Sequence, residues 1–170
     1  MSFSRAGAVA LVIVFAVTLQ VAVFNLFAVN GVVPNLALIV VVAAALARGP
    51  QFGVVVGFAA GLLLDLAPPA DHVAGRWALA LVLVAILAGR VRADARRSPV
   101  AGLATVAVCS FVATSVFALS GLVLGDHALP AGEMMQVIGI ALLWDVAVAP
   151  LLLPGLMNLF ERTQPAALAF

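Results

Sequence analysis

The chain has 170 residues, 66% of them hydrophobic and 9% charged, with a formal net charge of +1. A soluble domain carries roughly 25% charged residues. So few charges cannot cover a surface that faces water on all sides, and with a mean hydropathy of +1.29 the solvent is lipid. The net charge carries no information about partners, because it averages over two aqueous faces. A single cysteine, Cys109, lies in an apolar run and excludes both an internal disulfide and a cysteine-based metal site.

Apolar runs separated by short breaks rich in Gly, Pro and charge predict six helices, over residues 6–29, 33–47, 52–67, 74–91, 100–124 and 133–160. About 20 helical residues span a bilayer core of about 30 Å. The second, third and fourth segments are short and the last is long, which tilt and local thinning of the bilayer absorb. A signal-peptide core runs to only about 7–15 residues, so the first segment reads as a retained helix. All aqueous loops are short and no internal repeat is present, which predicts an all-α polytopic bundle forming one integral membrane domain over residues 1–170.

The first helix carries one polar residue at depth, Gln20. The third carries Gly53, Gly57 and Gly61 at intervals of four, continued by Asp65. Four residues advance 400° around a helix, so the stripe drifts by only about 40° per step and forms one diagonal groove. Apolar burial does not drive helices together in lipid, and such stripes act by letting backbones approach. The groove therefore takes either a helix of the same chain or a partner's membrane helix. Asp65, just before Pro68 and Pro69, is placed to reach water or Arg76 across a short loop.

The fourth helix closes on the cluster Arg90, Arg92, Arg96 and Arg97. Six crossings with the N-terminus inside put these arginines in the cytoplasm with Arg5, Arg48 and Arg162, leaving only Arg76 outside. The cluster is thus a topology anchor, with anionic lipid or a cytoplasmic partner as the other reading. In the last helix Asp145 falls deep in the membrane, where a charge costs at least about 2.5–3.5 kcal/mol on insertion scales. No arginine lies at that depth. Asp145 is therefore expected to be protonated, or hydrogen-bonded by Gln20, Thr105, Ser110, Thr114 or Ser115.

Catalytic constellations are missing from the sequence. His72 and His127 fall beside Asp71 and Asp126 in loops separated by a whole helical hairpin, which does not suit a zinc site. No serine sits in a nucleophile elbow with a histidine at matching depth. A phosphate-binding glycine loop needs a lysine, and all eight basic residues are arginines.

The run from Val33 through Pro34, Asn35 and Leu36 to Val40, the Ala-Leu-Ala-Arg-Gly at 45–49, and the glycine stripe closing in Leu-Leu-Leu-Asp-Leu at Leu66 together resemble the rod shape-determining MreD family. So does Leu-Ala-Gly-Arg-Val-Arg at 87–92. Residues 33–92 carry the specific part of the resemblance, and the helix order and length extend it over the chain. Toward the C-terminus it rests on hydropathy and on Ala-Pro-Leu-Leu-Leu-Pro at 149–154. Asp145 departs from the pattern, where an uncharged small polar residue is more usual. The resemblance implies a non-enzymatic scaffold of the bacterial cell-elongation machinery in the plasma membrane, with both termini cytoplasmic. It implies MreC, a bitopic protein, as partner, and support of a peptidoglycan synthase of RodA and a class B penicillin-binding protein, often with the actin-like MreB. No cofactor, metal or nucleic acid is implied. The family is also similar in architecture to the S components of energy-coupling-factor vitamin transporters, so the alternative is a small-molecule-binding membrane subunit. The outer loops offer few hydrogen-bonding side chains for a vitamin, chiefly Asn30, Asn35, Asp71, His72 and Asp126, and the scaffold is preferred.

Overall fold

A computed structural model describes residues 3–68, 72–125 and 130–163. Pro69, Asp71, Asp126 and His127 lie outside the described residues. The helices are α1 (Phe3–Ala22), α2 (Leu36–Arg48), α3 (Pro50–Leu66), α4 (Arg76–Arg90), α5 (Arg92–Ala95), α6 (Pro99–Leu124) and α7 (Ala131–Arg162). Six of them answer the six predicted segments, and α5 is an additional turn within the arginine cluster. Among the described residues, three stretches, Arg5–Phe27, Pro99–Leu124 and Gly132–Arg162, are long and apolar enough to cross a membrane, and α2 and α3 are shorter apolar helices. The chain is a polytopic all-α membrane protein.

The boundaries follow local chemistry. α1 stops at Ala22, earlier than its apolar run, and a short 3-10 turn covers Phe24–Phe27. Asn30 and Gly31 both have positive φ, and Val29 and Val32 exchange backbone hydrogen bonds at 2.9 and 3.0 Å. That is the arrangement of a type I′ turn, for which Asn-Gly is the favoured pair. Pro34 then holds the chain extended, and Asn35 caps α2 by accepting from Leu38 N–H at 2.9 Å. Pro50 and Pro99 sit in the first turns of α3 and α6, where their missing N–H is not needed. α7 runs through Pro150 and Pro154 without ending.

α2 is the centre of the bundle. It packs against α1, α3, α4, α6 and α7, and none of its residues from Leu36 to Ala47 is more than 2% exposed. At 1.5 Å per residue its 13 residues rise about 20 Å, short of a bilayer core. One of its ends must therefore lie inside the protein.

Candidate functional site

Helix ends leave backbone N–H and C=O groups without intrahelical partners, and in lipid no water satisfies them. Both ends of α2 meet this requirement with side chains from other parts of the chain. At the N-terminus, Asp145 Oδ1 accepts from Asn35 N–H at 2.6 Å and Gln20 Oε1 accepts from Ala37 N–H at 3.2 Å. Ser110 Oγ donates to Asp145 Oδ2 at 2.6 Å. Asp145 and Ser110 are fully buried and Gln20 nearly so. A carboxylate at the positive end of a helix dipole also has favourable electrostatics.

The other end of α2 is closed by the arginine cluster. Arg92 donates from Nε to Leu46 O and from Nη2 to Ala47 O, both at 2.7 Å. Arg96 Nη1 reaches the same two carbonyls at 3.4 and 3.3 Å, and its Nη2 pairs with Glu161 of α7 at 2.6 Å. Cations at a helix C-terminus complement its negative end. α2 thus has a carboxylate at one end and two guanidinium groups at the other.

The glycine stripe faces this chain's own helices. A Cβ at Gly53 would lie 2.7 Å from Ala45 Cβ on α2, and one at Gly57 would lie 2.7 Å from Leu81 O and 3.3 Å from Val41 Cγ1. A Cβ at Gly61 would run into the backbone of Ala78. Gly89 makes the same close approach in reverse, against Pro50. Contacts at Pro50, Gly57 and Gly61 on α3 are thus answered at Gly89, Leu81 and Ala78 on α4, a descending series that marks two antiparallel backbones touching along their length. Asp65 completes the seam. Its carboxylate accepts from Gly75 N–H at 2.8 Å, Trp77 N–H at 3.0 Å and Ala78 N–H at 3.1 Å, which caps α4. His72 Nδ1 stands 3.8 Å from Asp65 Oδ1. Asp65 thus holds the backbone N–H groups on both sides of Arg76. The Arg76 guanidinium extends to α6, donating to Ser120 Oγ at 3.2 Å and Phe117 O at 2.7 Å, and lies 3.9 Å over the Phe117 ring.

A family model described as rod shape-determining protein MreD matches residues 2–163. The chain belongs to the MreD family. Its role is in rod-shape determination. No curated protein and no solved structure matches it.

Next to the Asp145 cluster, this MreD-family chain holds a cavity of about 480 Å³, bounded by Gln20, Asn35, the start of α4, and the facing halves of α6 and α7. Trp77 stacks on Phe117 in its wall, with ring centroids 4.5 Å apart. Hydropathy gave no sign of this space. Its signal was Pro34-Asn35, a helix start placed well inside an apolar stretch. The capping roles of Arg92 and Arg96 were also missed, because a charge pattern read against topology says nothing about which carbonyls the arginines meet.

Proposed function

We propose that this chain is a non-enzymatic scaffold of the cell-elongation complex in the bacterial plasma membrane. The reading is carried by the MreD-family match over nearly the whole chain. Its partner is an MreC-like bitopic protein, and through it the chain supports the RodA and class B penicillin-binding protein synthase, with MreB on the cytoplasmic side. The arginine-bearing end of the bundle, with both termini, faces the cytoplasm, in keeping with the positive-inside rule. The buried chemistry suits a scaffold. Asp65 and Asp145, the two acids set within apolar helices, are engaged in holding helix starts. A rigid bundle with satisfied ends presents a constant surface to a partner helix.

Depletion in the native host tests the proposal. Cells are expected to lose rod shape and side-wall peptidoglycan incorporation, and affinity purification of the tagged chain is expected to bring down a single-span protein with an extracytoplasmic domain. If depleted cells keep shape and wall growth while the purified chain binds a vitamin tightly, the transporter-subunit reading replaces this one.

A further inference from the structure

The cavity beside α2 holds an unmet hydrogen-bond donor. Asn35 is 5% exposed and lines the cavity, and its Nδ2 is buried with no partner among the described residues. Its Oδ1 is fixed by Leu38 N–H, so the amide orientation is set and Nδ2 is the donor end. A buried donor left unpaired costs about 1–3 kcal/mol. Gln20 is oriented in the same way. Its Oε1 takes Ala37 N–H, and its amide NH2 is left as the free end of a side chain that also lines the cavity. The polar floor of the cavity therefore offers donors.

The walls are mostly apolar, with Phe117 on α6 and Val137 and Ile138 on α7, and carry His72, Arg76 and Thr114 as their polar groups. α1 packs chiefly on α2 and α3, while α7 packs on α2 and α6. Both helices line the cavity, α1 through Gln20 and α7 through Val137 and Ile138. A volume of about 480 Å³ falls within the roughly 300–1,000 Å³ of small-molecule sites.

We propose that this cavity binds one amphipathic molecule per chain, which accepts hydrogen bonds from Asn35 Nδ2 and Gln20 Nε2 and lays an apolar body against α6 and α7. The accepting group is a carbonyl, carboxylate or phosphoryl oxygen. A bilayer phospholipid entering between α1 and α7 and a free amphiphile arriving from the aqueous side share this chemistry. The site is independent of the scaffold reading.

Two arms distinguish the sources. In the first, native mass spectrometry follows the full chain released from nanodiscs of phosphatidylglycerol and phosphatidylethanolamine. In the second, delipidated protein in detergent is titrated with decanoate. Trp77 fluorescence reports binding there in a Trp144→Phe background, the chain having two tryptophans. One phospholipid retained per chain assigns the bilayer source, and saturable 1:1 decanoate binding assigns the aqueous one. Asn35→Asp keeps the α2 cap while replacing the donor by an oxygen, and is expected to weaken the bound species about tenfold. Ala118→Phe adds a ring to the cavity wall and is expected to abolish binding, with helicity by circular dichroism unchanged. The absence of a stoichiometric ligand for the wild-type chain in both arms overturns the proposal without reference to any variant. So does wild-type affinity in both folded variants.

Discussion

Asp145→Leu separates the cost of inserting α7 from the cost of packing it. On insertion scales an aspartate at mid-membrane costs about 2.5–3.5 kcal/mol and a leucine gains about 0.3–0.6. Insertion of the isolated helix therefore improves by about 3–4 kcal/mol. In the folded bundle the same change removes the acceptor of Asn35 N–H and of Ser110 Oγ, each held at 2.6 Å. The serine can turn to a carbonyl of its own helix one turn back. The Asn35 N–H, at the start of a buried helix, has no such recourse and costs about 1–3 kcal/mol. The leucine variant is thus expected in the membrane at wild-type level or above, yet destabilised by about 1–3 kcal/mol in reversible unfolding, followed by far-UV circular dichroism in mixed micelles with rising SDS. Asp145→Asn keeps an oxygen for Asn35 N–H and offers an N–H to Ser110 Oγ, so its loss is expected to stay below about 1 kcal/mol. An asparagine variant as unstable as the leucine variant would refute the capping account, because the amide preserves both hydrogen bonds and removes only the capacity to ionise.

Gly57→Leu sets a side chain against Leu81 O and Val41, where a Cβ alone already comes within 2.7 Å of the carbonyl. Overpacking costs about 1–3 kcal/mol or more, so quantitative immunoblotting is expected to show loss from the membrane fraction; normal accumulation with loss only of a co-purifying single-span partner would instead place the stripe at a partner surface. Reporter fusions test the orientation: a fusion after residue 95 is expected to report cytoplasm and one after residue 30 the opposite side, and a residue-95 fusion reporting the outside would invert the arrangement.

The helices were legible because lipid demands long apolar runs, and the glycine stripe because a period of four is visible in one strand of text. Which helix fills the groove was not legible, since Ala45, Leu81 and Ala78 look like any apolar residues. Ser110 stood among five named candidates to satisfy Asp145. The second partner, the backbone N–H of Asn35, was invisible because main-chain donors leave no mark on the sequence. The end of α1 was misplaced for a related reason. Residues 23–29 are nearly all apolar, and hydropathy cannot tell a 3-10 turn and an extended strand from a continuing α-helix. Asn35 itself was readable as an N-cap, a short amide before an apolar run with a backbone N–H three residues on. Starting the second helix at residue 33, ahead of Pro34 and Asn35, hid the fact that α2 starts within the bundle.

The short α2, the buried acid and the cavity have one physical origin. A helix filling the bilayer core needs about 20 residues, and α2 has 13. Seven more residues at its N-terminus would carry it about 10 Å further, through the Asn30-Gly31 turn and Pro34, both of which forbid α-helix there. Because α2 stops early, its first N–H groups lie where lipid offers no acceptor, and Asp145, Gln20 and the Asn35 side chain are positioned to supply three. The space that the missing turns would fill remains beside them. In a continuous α2 the backbone would satisfy itself, Asp145 would be an uncompensated cost, and no cavity would be left. The carboxylate in the last helix is therefore read most simply through an element more than a hundred residues upstream, a proline-limited helix that needs a cap within the membrane.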